Sequence, residues 1–306
     1  MTGFQEALGH LTSNSDSPVM DQNRRRLTGF IDTLWEGDDY LEDIIDHLAY
    51  MEVGICKRGR SRVPTVDIEQ DVTLPSFPMI EKQEQITWEL RSNLIDFIVR
   101  SHQHFRLPSH VLFLSINLID RYCSRRQVFE GHYWLLGSVA LLIATKYGDK
   151  TDQGRNLRPL SVKETSKMCN GIFDAQTIAQ MEISILSTLD WVMGHPTTDH
   201  YLDYLLAGEP WDRELATMAA YLSEISLYHP EFVGTKSSVV ATSCCLLAKS
   251  LLYGTVLMGI TTEIVVIETL NCLWKRLHQP PPAISTRYPT QSHHYVAQTV
   301  FYRIAD

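Results

Sequence analysis

The 306-residue sequence contains neither of the short glycine signatures that cradle phosphate, G-x-x-x-x-G-K-[ST] or G-x-G-x-x-G. It also lacks the G-x-S-x-G turn of a hydrolase nucleophile and the H-E-x-x-H pair of a zinc peptidase. An enzyme built on this chain would need a constellation that leaves no local motif. Excess positive charge is missing: 27 Lys and Arg stand against 36 Asp and Glu, a net charge of −9. Nucleic-acid binders usually carry a strong basic patch, so no nucleic-acid partner is expected. Long apolar runs are missing too. The first 20 residues have no continuous apolar core of the signal-peptide kind, and Lys249 and Glu263 interrupt the best membrane-span candidate. No membrane association is expected. The six cysteines (Cys56, Cys123, Cys169, Cys244, Cys245 and Cys272) form no C-x-x-C pair and sit mostly in helical apolar patterns. That is the usage of reduced, core-packed cysteine in an intracellular protein. The twelve histidines are scattered; His293-His294 reads as a solvated pair, and His102 and His104, two apart, point to different sides of a helix. No metal and no cofactor are expected.

What is present is a sizeable core, with 44% apolar residues. Its centre is YWLLGSVALLIATKYGD, from Tyr133 to Asp149, which is free of charge from Tyr133 to Thr145. A helix apolar on all sides is buried, and Gly137, Ser138, Ala140 and Ala144 let neighbouring helices approach closely. At roughly 1.5 Å per residue the apolar part is about 20 Å long, too short for a bilayer. The first charge is Lys146, on the face of Leu135, Val139 and Leu142 by 3.6-residue spacing. A lysine there either snorkels to water or meets a partner.

The fold class expected is all-α: two tandem five-helix folds preceded by an amphipathic N-terminal helix. Residues 1–37 are expected to form a mobile N-terminal segment, polar over 1–26. Residues 38–80 hold that helix, with Leu41, Ile44, Ile45, Leu48 and Met51 at helical spacing, and a proline-bearing connector. Four positive charges at Lys57, Arg58, Arg60 and Arg62 make the connector either a nuclear import signal or a solvated loop. The first fold spans 81–195. Its opening helix runs from about Glu81 to His104, and Pro108 and Ser109 start the next. Ser161 and Glu164 have capping-box spacing, and Asp174 caps a fifth helix to about Leu189. The plan then repeats over 196–278, because SVALLIAT (138–145) and TSCCLLAK (242–249) superpose within the same order of elements. Pro280-Pro281-Pro282 stops the helical run and leaves 279–306 as a tail.

The unusual residues are charges on apolar faces. Lys146 and Glu182 either pair or reach water, or else present a donor and an acceptor to another protein's backbone. Arg91 and Asp120 read as a salt bridge between helices.

Together these residues resemble the cyclins. DYLEDIIDHLAYMEV resembles the helix before the cyclin box, LRSNLIDFIVRSHQHFRL its opening helix, and LSINLIDRYCSRRQV the L-x-x-N-x-I-D-R-F-L-S signature. LLIATKYGD and MEISILSTLDW resemble the L-L-A-S-K-F-E-E and M-E-x-x-I-L-x-x-L-x-F segments. The match runs from about 38 to 195, and the repeat fits a second cyclin fold. The resemblance implies a non-catalytic subunit that binds and activates a cyclin-dependent Ser/Thr kinase as a heterodimer in cell-cycle progression, in the nucleus and cytoplasm. It implies kinase contacts at Lys146, Glu182, Ile143, Tyr147, Asp149, Leu186 and Trp191, and an internal salt bridge between Arg91 and Asp120. Leu90, Leu94 and Phe97 fit a groove that docks kinase substrates or inhibitors, with Asn93 where the family has an apolar residue. Gly148 likewise replaces an acidic residue. The rival readings are a cyclin-fold adaptor in transcription or another kinase pathway, and an all-helical enzyme.

Overall fold

A computed structural model describes residues 73–147, 151–152, 155–156, 158–207, 212–254, 264–288, 296–297 and 300. The amphipathic helix expected from Asp38, the basic cluster and Asp149 lie outside the described residues.

The first fold is built from α2 (Trp88–Phe105), α3 (Ser109–Arg125), α4 (Glu130–Tyr147), α5 (Val162–Met168) and α6 (Ala175–Thr188), preceded by a short α1 (Phe77–Glu81). The second holds α7 (Thr198–Ala207), α8 (Arg213–Ser226), α9 (Ser237–Tyr253) and α10 (Ile264–Arg276), followed by α11 (Pro282–Arg287). The described strands are two-residue segments, β1 (Thr151–Asp152) and antiparallel β2 (Arg155–Asn156).

The charge-free stretch forms α4, and every residue from Leu135 to Thr145 is buried. It packs against α2, α3, α5 and α6. Gly137 sets the closest approach: a Cβ there would stand 2.7 Å from Leu94 Cδ1 of α2. The matching stretch of the second fold lies in α9, packed against α7, α8 and α10. Both expected caps form. Ser161 Oγ accepts from the Glu164 N–H while the Glu164 side chain accepts from the Ser161 N–H, and the Asp174 side chain accepts from the Thr177 N–H.

Two element boundaries differ from the sequence pattern. The opening helix does not start at Glu81. The chain leaves helix after α1 so that the Gln83 side chain can donate to the carbonyls of Cys123 and Arg126 and accept from the Val128 N–H. Thr87 then caps α2 through the Leu90 N–H.

The second difference is the tail. The proline run does not end the folded part, because Pro282 occupies the start of α11, where its missing N–H costs nothing. Ala283, Ile284, Tyr288, Val296 and Val300 are buried. The residue that fastens α11 comes from the first fold: Asp96 Oδ1 accepts from the Ala283 N–H at 2.9 Å. Asp96 Oδ1 also accepts from the Tyr228 hydroxyl at 3.4 Å, and the other oxygen, Oδ2, pairs with Arg100 at 2.7 Å. The folds are joined again at α3 and α7, which pack directly.

Candidate functional site

Lys146 sits in the last turn of α4 and Glu182 in the middle of α6. The two helices pack side by side, so Lys146 Nζ donates to Glu182 Oε1 at 2.6 Å. The Lys146 side chain is 44% exposed and that of Glu182 is 20% exposed. An ion pair this open to water contributes at most about 1 kcal/mol. It can exchange its bond for a partner's backbone at little cost. The pair is bordered by apolar surface. Tyr147 follows Lys146 and Ile183 follows Glu182, and both are mostly exposed. Leu186, one turn beyond Glu182, is half-buried. Trp191 is 67% exposed.

One expected contact residue is elsewhere. Ile143 lies one turn before Tyr147 but is only 3% exposed, because it points into the core beneath the pair. It offers no surface to a partner. Ile183 is the exposed hydrophobe on this surface instead; its signal was a hydrophobe next to Glu182 on the outer face of an otherwise amphipathic helix.

Arg91 and Asp120 form a buried two-pronged ion pair. Arg91 Nε lies 2.8 Å from Asp120 Oδ1 and Nη2 lies 2.7 Å from Oδ2. Burial opposes the Arg91 charge, but the Asp120 carboxylate outweighs it and holds the pKa above its ordinary value. The third guanidinium nitrogen, Nη1, donates to the Leu227 carbonyl of the second fold at 3.0 Å. This pair therefore joins folds as well as helices, and it stands apart from the Lys146–Glu182 surface.

The proposed groove is only partly open. Leu94 is fully buried, because Gly137 lets it slot under α4. Leu90 and Phe97 are half-buried and Asn93 is exposed. Phe97 meets the half-buried Trp134 edge-on, with ring centroids 5.3 Å apart. Trp134 is a member of this surface that the charge-free α4 pattern concealed. Elsewhere, among the described residues, no group of three or more His, Cys, Asp or Glu side chains is placed to hold a metal. No described helix is long and apolar enough to cross a membrane.

The molecule is thus a tandem all-helical scaffold that displays an accessible ion pair on an apolar face. Comparison with known proteins gives this class a family. Residues 65–194 match the cyclin N-terminal domain and residues 196–300 the cyclin C-terminal domain. The second match runs through α11. The chain belongs to the cyclin family. It is similar to the G1/S-specific cyclin CCN1 of Candida albicans, with 35% identity over 211 residues covering 62% of this chain and 30% of that protein. It is also similar to the G2/mitotic-specific cyclin-B of Emericella nidulans, with 32% identity over 180 residues covering 59% of this chain and 36% of that protein. The chain spans about a third of the length of these curated relatives. The crystal structure of a viral cyclin from herpesvirus saimiri shares the fold, with a TM-score of 0.57 at 19% identity over 67% of this chain and 92% of that one.

Proposed function

We propose that this chain is a non-catalytic regulatory subunit that binds and activates a cyclin-dependent Ser/Thr protein kinase in cell-cycle progression. The observation that carries the reading is the exposed Lys146–Glu182 pair bordered by Tyr147, Ile183, Leu186 and Trp191. Binding energy comes from the apolar residues. Covering the open part of Trp191 alone removes roughly 150 Å² of surface from water, about 3–4 kcal/mol before the costs of association. The ion pair supplies direction. Lys146 donates and Glu182 accepts, so the pair can fix the register of a kinase segment laid across it. Activation then follows from bias. A regulatory helix of the kinase has two positions, and a subunit that contacts only one shifts the helix there, allowing the kinase's own lysine–glutamate pair to form.

The half-open surface of Leu90, Phe97 and Trp134 is the proposed dock for kinase substrates or inhibitors. Nuclear and cytoplasmic residence is proposed from the basic residues between Lys57 and Arg62.

The test is co-purification of the full chain with a panel of cyclin-dependent kinases, followed by a kinase assay. Parent and Lys146→Ala/Glu182→Ala chains are compared after both are shown to be folded. Binding and activation by the parent, lost in the double variant, is the expected result. A broad panel that neither binds nor responds to the parent would overturn the reading.

A further inference from the structure

Trp191 stands on an unusual piece of backbone. Asp190 (φ 54°) and Trp191 (φ 60°) are consecutive left-handed residues, and neither is glycine. That conformation is costly for any residue with a Cβ, and it persists only where surrounding contacts enforce it. Part of the enforcement is local. The Trp191 N–H bonds the Leu186 carbonyl at 2.9 Å, and the Val192 N–H bonds the Leu189 carbonyl at 3.0 Å. The rest comes from two arginines one turn apart on α3. Arg121, only 1% exposed, sends Nη2 to the Val192 carbonyl at 2.8 Å. Arg125 Nη1 lies 2.8 Å from both the Thr188 carbonyl and Asp190 Oδ2. The turn is therefore gripped on both sides of Trp191, at residues 188, 190 and 192. The Tyr122–Ser184 contact at 2.9 Å locks α3 to α6 just before it.

We infer that Arg121 and Arg125 are positioning residues, a clamp that holds the left-handed turn and thereby presents Trp191 to the kinase. The inference rests on the regulatory-subunit reading. The clamp lies behind the surface, and Trp191 makes the contact. Preorganising one large aromatic side chain lowers the ordering cost of binding, so loss of the clamp weakens binding without removing any contact residue. A turn that needs clamping because its residues carry a Cβ should need it less with glycine at 190, since glycine adopts positive φ freely.

The experiment uses the full chain labelled with 5-fluorotryptophan, the Trp191 ¹⁹F line being assigned by Trp191→Phe. It reads the spectrum of the free chain and its affinity for a cyclin-dependent kinase that the parent binds. Arg125, at the surface, is the variant of choice; Arg121→Lys is the second, keeping the charge but losing the fork. Arg125→Gln is expected to shift or split the Trp191 line, leave the other five tryptophan lines in place, and weaken kinase binding about tenfold. Adding Asp190→Gly is expected to restore one Trp191 line and most of the affinity. General destabilisation would instead move all the lines and would not be rescued by glycine. An Arg125→Gln chain with an unmoved Trp191 line and unchanged affinity overturns the clamp. Should the parent bind no kinase, the regulatory-subunit reading fails and the purpose given to the clamp fails with it, while the free-chain spectra still decide whether the turn is clamped.

Discussion

Asp96 of α2 accepts a hydrogen bond from the backbone N–H of Ala283, 187 residues later, and so caps a helix of the other fold. Cross-fold capping ties the stability of α11 to that of α2. Asp96 also holds the Tyr228 hydroxyl, which makes it a joint between three elements. Asp96→Ala should cost roughly 1–2 kcal/mol, the usual loss for a helix cap, in chemical denaturation of the full chain. Amide hydrogen exchange should rise in α11 more than in α4. Equal rates in parent and variant at α11 would refute the capping role.

Arg91 and Asp120 should behave as one unit. Removing either leaves a buried charge unpaired, at a cost of about 3–5 kcal/mol. A double-mutant cycle with Arg91→Met and Asp120→Leu, read from denaturation midpoints, should give a double variant far less destabilised than the sum of the singles. Additive losses would mean that the two side chains act independently, against their 2.7 Å contact.

Acid should destabilise the folded chain. Burial, helped by the Arg287 charge, lowers the His102 pKa to about 4. Burial, with Arg121 nearby, lowers that of His195 to about 3. Both rings are neutral in the fold, whereas in the unfolded chain they titrate near 6.5. Above about pH 6.5 neither state holds the proton and stability is unaffected. Below that, the unfolded chain gains protons that the fold refuses, so stability falls as pH drops from about 6.5 towards 4. Each histidine contributes up to about 1.4 kcal/mol per pH unit. The Glu224 carboxyl, raised mainly by burial, offsets part of this loss at the acid end. Urea midpoints measured from pH 7 to pH 5 should fall, and His102→Gln should flatten the slope. An unchanged slope in that variant would contradict the assignment.

Gly137→Ala sets two known effects against each other. Alanine gains about 1 kcal/mol of helix propensity over glycine, while its Cβ meets Leu94 Cδ1 at 2.7 Å. Overpacking typically costs about 1–3 kcal/mol, so a net loss near 1 kcal/mol is expected in thermal denaturation, and Gly137→Val should lose more. Leu94→Val should recover part of the loss in the alanine variant, since Leu94 is the side chain that must move. A stabilised Gly137→Ala chain would show that α2 and α4 are less tightly apposed than the structure has them.

Much of this fold follows from local pattern. A stretch without charge became the buried α4, and Ser161, Glu164 and Asp174 announced their helices because caps act within one turn. Lys146 and Glu182 were legible as misplaced charges on apolar faces. What escaped depends on contacts distant in the chain. Three prolines looked like an end because the capping oxygen of α11 belongs to Asp96. Gln83 breaks the opening helix through bonds to residues 40 and 43 positions away. Leu94 and Ile143 were expected at contact surfaces by resemblance alone, yet neighbouring helices close over them. The left-handed turn at Asp190 and Trp191 carries no glycine to mark it, since Arg121 and Arg125 enforce it from α3.

The kinase is proposed to sit on the face of Lys146, Glu182 and Trp191. Hydrogen–deuterium exchange of the full chain, free and saturated with a cyclin-dependent kinase that it activates, tests this most directly. The expected result is protection concentrated in the last turn of α4 and from Glu182 to Val192, with the second fold from α8 to α10 largely unchanged. Protection centred on the second fold, with the last turn of α4 and the C-terminal half of α6 exchanging as in the free chain, would contradict it.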